Sequence, residues 1–323
     1  MSEPTPEISV LMCAYNAQRY LAETMRSVLN QTFEDFEVVV VDDGSTDETP
    51  RILDTFAQSD PRVRVITGPN AGIPQAANVG LAACRGEFIA RIDSDDIAKP
   101  RRLETQLAYM KNNDLVACGT WHDLIDERGR LLKLLKTPID DATIQDRALK
   151  GHGSICNPTS MIRKQPFAEL GGYSEDLPVA EDLDSWLRLG EVGKLGNVPE
   201  CLAQYRLHSH SISEQKCQLE RDCAKIACER AWERRGIEGS FEAGHMWRPG
   251  KDRGSRHHFA TEYGWWAFKS EQFRTAASYG VRAIRLKPWH PVGYKLLLVS
   301  LVKGGGKNAP VNDGLPKAEG VPA

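Results

Sequence analysis

FEVVVVDDGSTD, residues 36–47, decides the fold. Four consecutive valines follow Phe36 and Glu37 without polar alternation, the pattern of a strand covered on both faces. The run stops on Asp42 and Asp43 and turns through Gly44–Ser45. In TDETPRILDTFAQ, which follows, Ile52, Leu53 and Phe56 fall on one helical stripe. A buried strand that passes through a polar turn into an amphipathic helix is half of a strand–helix–strand unit, and such units build parallel sheets.

The alternation continues on both sides. ISVLMCAY (8–15) reads as a strand, and RYLAETMRSVLNQ (19–31) as a helix with Leu21, Met25 and Val28 on one face. VRVITG (63–68), GIPQAANVGLAAC (72–84) and EFIARI (87–92) supply strand, helix and strand. The expectation is an α/β, Rossmann-like sheet with helices on both faces. Further on, LVACGTWHDL and GRLLKLLK flank the turn DERG as a strand pair, and PTSMIRK is a short strand. Gly171–Gly172 stops the helix that starts near Pro166, and EDLDSWLRLGEVG is another helix. KLGNVPE and LAQYRLH read as two more strands, which makes the sheet mixed.

From about residue 214 the pattern is helical. The expected organisation is an α/β domain over 1–213, a C-terminal α-helical extension over 214–303 and a disordered tail over 304–323, rich in Gly and Pro. WWAFKSEQFRTAASYGVRAIRLKP resembles one tetratricopeptide-type hairpin. Trp265, Trp266 and Trp289 are read as filling a small helical core.

The composition is that of an ordinary globular protein, 41% hydrophobic with a formal net charge of -3, and it gives no argument for a nucleic-acid partner. MSEPTPEIS has no apolar signal core, and LLLVSLV (296–302) is too short to span a bilayer. The expected location is cytoplasmic, at the inner face of the cell membrane if the helical region or the basic stretch Arg248, Lys251, Arg253, Arg256 meets lipid. The eight cysteines show no C-x-x-C pair and read as buried thiols.

FIARIDSDD (88–96) places Asp93, Asp95 and Asp96 at the carboxyl end of the fourth strand, as VVVVDDGSTD places Asp42 and Asp43 at the end of the second. Ligands of open α/β sheets bind at that edge. DDGSTD could simply cap the next helix. Three crowded carboxylates call for a counter-charge, and Mn²⁺ or Mg²⁺ suits oxygen ligands and leaves positions for phosphate oxygens.

AYN, QTFEDFEVVVVDDGSTDET, NAGIPQAANVGLAACRGEFIARIDSDDIAKPRRLETQ, PTSMIRK, LGGY, AEDLDSWLRL and YRLHSHSIS together resemble glycosyltransferase family 2, over roughly residues 7–213. The resemblance implies a GT-A fold, an inverting mechanism and a nucleotide-diphosphate sugar donor, with a UDP-sugar favoured. It implies a saccharide or lipid-linked saccharide acceptor and a role in surface polysaccharide or glycoconjugate synthesis. It places Ala14, Tyr15, Asn16, Asp42, Asp43, Asn70, Gly72 and Asn78 around the donor, with Asp43 on the base. It makes Asp93, Ser94 and Asp95 the D-x-D element, with Asp95 the direct metal ligand and Asp93 nearer the ribose and diphosphate. His208 would approach the metal, and His210 less closely. Arg91 could offset the acidic charge or be a surface arginine. Asp182 would be the general base, with Glu181 the runner-up, although both also suit a helix N-terminus. No basic residue lies between Asn70 and Arg85, where relatives meet the diphosphate. The alternative is a non-catalytic nucleotide-binding or scaffolding module on a degenerate fold, against which the intact D-x-D and E-D elements argue.

Overall fold

The computed structural model describes residues 5–208, 217–243 and 252–304. Except for Gly304, which ends the last helix, the expected tail lies outside them, as do His210, Arg248 and Lys251. The chain divides into two compact units, Met1–Arg248 and Pro249–Ala323.

In the first unit, β1 (Ile8–Ala14), β2 (Phe36–Asp42), β3 (Val63–Thr67) and β4 (Phe88–Asp93) form a parallel block, with α1 (Leu21–Leu29), α2 (Thr49–Ser59) and α3 (Ile73–Ala83) as crossovers. Short β5 (Ile97–Ala98), then β6 (Leu115–Asp126), β7 (Leu131–Leu135), β8 (Met161–Arg163) and β9 (Lys194–Leu207) complete one sheet, in the order β3-β2-β1-β4-β8-β6-β9-β5 with β7 on β6. β8 runs antiparallel to β4 and to β6, so the sheet is mixed, as expected.

Successive strand residues point to opposite faces. Val10, Met12, Val38 and Val40 pack on one side with Leu21, Met25 and Leu53 of α1 and α2. Leu11, Val39, Val41 and Ile89 pack on the other with Ala76, Ala77 and Leu81 of α3 and Trp186 of α7 (Glu181–Val192). This two-sided burial explains why β2 has no polar alternation.

Four differences from the sequence reading have plain causes. KLGNVPE and LAQYRLH are one strand, β9, because its register against β6 jumps between Thr120 and Trp121, opposite Pro199 and Glu200. A bulge there absorbs the proline, which has no N–H to donate. Two helices join those expected, α4 (Arg102–Asn113) and α5 (Asp141–Leu149); the Asp140 side chain caps α5 by accepting from Thr143 N–H. Beyond the short α6 (Lys164–Glu169) and α7, the helix α8 (Cys217–Arg235) belongs to the first unit rather than to a region starting at 214. Its Ala224, Ala227, Cys228 and Ala231 close a core with Leu177, Val179, Leu183 and Leu187.

The fourth concerns the second unit, whose described residues form α9 (Arg253–Lys269), α10 (Phe273–Leu286) and α11 (Pro291–Gly304). Its buried side chains are mostly alanine and tyrosine (Ala260, Tyr263, Ala267, Ala276, Tyr279, Ala283), joined by Phe259 and Leu296. The tryptophans do not fill it: Trp265 and Trp266 are half-buried and Trp289 is 97% exposed. α10 and α11 come so close at Gly280 that a Cβ there would lie 2.9 Å from the backbone N of Leu297.

Candidate active site

Register places the site. Ala14 pairs with Asp42, and Cys13 with Asp93, so β1, β2 and β4 end on one line. Just past that line two loops are laced together. Asn16, at φ 50°, receives hydrogen bonds on its Oδ1 from Thr46 N–H (2.8 Å) and donates its own N–H to Ser45 Oγ (2.9 Å). Tyr15 stands 52% exposed beside them. Asp42 is buried; its Oδ1 accepts from Ser45 N–H, and its Oδ2 has no partner among the described residues.

Asp43 accepts from Ala71 N–H (2.7 Å) and Gly72 N–H (3.0 Å). The carboxylate thus ties the 70–72 loop to the end of β2, and a base would have to use its remaining lone pairs. Gly72, at φ 94°, starts α3 in a conformation that other residues resist. Asn70 is exposed on the same loop. Asn78 is engaged elsewhere. Its amide donates to Tyr173 O (2.9 Å) and Glu175 Oε1 (3.0 Å), and accepts from Tyr173 N–H (2.9 Å). It clamps the LGGY turn to α3. Arg188 holds the same turn through Leu170 O and Gly172 O, and pairs with buried Asp184 at 2.8 Å.

Asp93, Asp95 and Asp96 converge, each offering an oxygen within 4.8 Å of the others. Ser94 contributes its carbonyl, which accepts from Thr24 Oγ (3.1 Å). Asp96 is buried; one oxygen accepts from Arg206 N–H at 2.8 Å and the other has no partner among the described residues. Burial, with Asp95 and Asp93 adjoining, pushes the Asp96 carboxyl well above the usual carboxylate range. Desolvation in the cleft, with Asp95 and Asp182 nearby, pushes Asp93 up to about 6 against the opposing pull of Arg91. His208 Nε2 lies 2.6 Å from Asp95 Oδ2, so it reaches the expected ligand.

Arg91 is no surface arginine. It is 1% exposed, paired with Leu11 on the sheet, with its guanidinium 3.7 Å from Asp93 and near Cys13 Sγ (3.5 Å). It lies behind the acidic cluster, inside the core face. A second buried arginine, Arg102, holds the carbonyls of Arg91 (2.6 Å) and Ser160 (3.2 Å), and burial brings its guanidinium down to about 10.

Sequence reasoning missed Arg206. Its side chain is 2% exposed; Nε donates to Asp95 O (2.8 Å), Nη2 meets Glu23 (2.7 Å), and the guanidinium lies over the Tyr20 ring at 4.5 Å. The available signal is an arginine two residues before His208 in a strand of otherwise buried character.

α7 opens at Ala180, held at φ 59°, and presents Glu181 and Asp182 on its first turn. Asp182 Oδ1 accepts from Leu183 N–H at 2.8 Å. Burial and the neighbouring Asp182 push Glu181 up to about 8, and burial raises Asp182 as well. Both groups are close enough to Asp93 for their charges to be felt there. The cleft therefore joins an acidic cluster that fits a cation to a carboxylate pair of raised basicity.

The model for glycosyl transferase family 2 matches residues 9–171 of this chain. The O-antigen biosynthesis glycosyltransferase WbnJ of Escherichia coli is 33% identical over 234 residues, 71% of this chain and 91% of that protein. The chain belongs to glycosyl transferase family 2. Solved structures share its fold, two of them in complex with a nucleotide sugar. S. aureus TarS 1-349, in complex with UDP-GlcNAc, superposes with a TM-score of 0.58 at 18% identity, covering 98% of this chain and 100% of that one. The mannosyltransferase PcManGT from Pyrobaculum calidifontis, in complex with GDP-Man and Mn²⁺, gives 0.53 at 16% identity, covering 94% and 87%. The α/β GT-A class expected from the sequence, with its C-terminal helices, therefore stands, and the chain is a glycosyltransferase.

Proposed function

We propose that the protein transfers a sugar, with inversion, from a nucleotide-diphosphate donor to an acceptor hydroxyl, in polysaccharide or glycoconjugate synthesis on the cytoplasmic side. The observation that carries this is the convergence of Asp93, Asp95 and Asp96 at the end of β4, with Glu181 and Asp182 close by. A UDP-sugar is the favoured donor and a saccharide or lipid-linked saccharide the acceptor; the ligand of the TarS structure supports the first.

The donor set fits a divalent cation, Mn²⁺ or Mg²⁺. Three hard oxygen donors converge, and the buried Asp96 Oδ2 lacks a partner among the described residues. Asp95 and Asp93 would hold it, with His208 beside Asp95. When bound, such an ion supplies Lewis-acid neutralisation of the departing diphosphate. The protein's residues do the rest. The laced loops of Tyr15–Asn16 and Ser45–Thr46, with Asp43 and Gly72, form a rigid rim for the nucleoside. Arg91, from behind Asp93, offsets the acidic cluster. Asp182 takes the acceptor's proton as the hydroxyl attacks the anomeric carbon from the face opposite the diphosphate, and the carbon–oxygen bond to the diphosphate breaks. Protonated Glu181 keeps a second negative charge away from that base.

Thermal stabilisation by UDP, GDP, CMP and dTDP, each with Mn²⁺ or with EDTA, tests the donor site. A metal-dependent shift with one nucleotide is expected. No shift with any of them in the folded protein overturns the reading. Asp182→Asn should lower kcat by about 10²–10⁴; unchanged turnover removes Asp182 from the base role.

A further inference from the structure

The last described helix is apolar on its outer side. α11 buries Gly293, Leu296 and Ser300. On the opposite arc Tyr294, Leu298, Leu301 and Val302 are 51%, 66%, 60% and 72% exposed. The spacing 294, 298, 301, 302 follows the helical period, so these side chains form one stripe. Surface helices normally turn polar residues outward. Just ahead of the stripe stands Trp289, almost wholly exposed.

The charges here have a single sign. Between Phe273 and Gly304 the chain carries Arg274, Arg282, Arg285, Lys287, Lys295 and Lys303, and no Asp or Glu. All six are exposed. An apolar stripe with Lys295 and Lys303 on its own helix, and only cations between Phe273 and it in the chain, complements an anionic surface with an apolar interior. A second copy of this chain would instead bring six further cations against these six, which disfavours self-association through this face.

We infer that α11 and Trp289 form a surface that docks on an anionic lipid bilayer. The leucines and valine enter the acyl boundary, the indole sits at headgroup level, and the lysines and arginines meet lipid phosphates. The helix lies on the membrane rather than crossing it: none among the described residues is long and apolar enough to span. The inference is independent of the donor-site reading.

The test is co-sedimentation of the full chain with vesicles. Vesicles of equal parts phosphatidylglycerol and phosphatidylcholine should carry the protein down, less so as salt rises, and phosphatidylcholine alone should carry little. The double variant L298E/L301E should lower partitioning by about tenfold or more. W289A should weaken it too. All three positions are exposed, so the melting temperature should not change. The inference is overturned if the anionic vesicles bring down no protein, or if L298E/L301E binds as well as the parent. It is equally overturned if the protein is a dimer that L298E/L301E dissociates, which would assign the stripe to a second copy.

Discussion

Replacing Arg206 with methionine tests whether one side chain holds the acidic turn in place. The variant keeps an apolar stem in a site that is 2% exposed, and removes three interactions. The bond from Nε to the Asp95 carbonyl is charge-assisted and part-buried, worth about 1.5–3 kcal/mol. The pair with Glu23 counts for less, under about 1 kcal/mol, because that carboxylate is 39% exposed and regains water. The guanidinium over Tyr20 adds about 1 kcal/mol. The sum predicts a loss of roughly 2.5–5 kcal/mol in the first unit, followed by urea unfolding. Because the lost bond fixes Asp95, stabilisation by nucleotide with Mn²⁺ should fall as well. Arg206→Lys should lie between, since an ammonium cannot serve Asp95 and Glu23 in the same fork. A loss under about 1 kcal/mol refutes the energetic argument, and an unchanged metal–nucleotide shift refutes the positioning role.

Three further outcomes are expected. Glu181 rises from 4.5 to about 8, so between these values the folded chain holds a proton that the unfolded chain releases. Its contribution to stability is full below the ordinary value and is lost as pH climbs through about 8; the parent should therefore melt progressively lower than Glu181→Gln across that window in calorimetry. Asn78→Ala should cost about 2–4 kcal/mol in urea unfolding, because it orphans the backbone of Tyr173. Gly280→Val should lower the second unit's calorimetric transition by about 1–3 kcal/mol or more, with donor turnover retained, because its side chain meets the backbone of Leu297.

What can be read from the chain depends on how far away each partner lies. The parallel block is legible because Val38–Val41 and their neighbours state their burial locally. Asp93, Asp95 and Asp96 are legible because carboxylates crowded at the end of an apolar strand are costly without a partner. Arg91 is not. Its burial follows from sharing a sheet face with Ile89 and pairing with Leu11, and its neighbour Tyr173 lies on a distant turn. Arg206 stands inside the YRLH motif without declaring a role, since Glu23 and Asp95 are 183 and 111 residues away. Asn78 matches a pattern, but the turn it clamps only meets α3 after folding. The outer stripe of α11 is visible as LLLVSLV, whereas which side of the helix stays wet is a property of packing against α9 and α10.

The line on which β1, β2 and β4 end has a consequence for how the protein can change. Asp42 and Asp93 reach the cleft because each closes a strand whose register is fixed from its first residue, Phe36 or Phe88 against Ile8. One residue more or fewer inside β2 or β4 would carry its terminal aspartate about 3.3 Å along the sheet and turn it to the opposite face. Replacing a valine by isoleucine leaves that arithmetic untouched. The site is specified by counting, so strand length matters more to it than which apolar side chain fills the core, and a change in the number of residues is borne best in the loops beyond the strand ends.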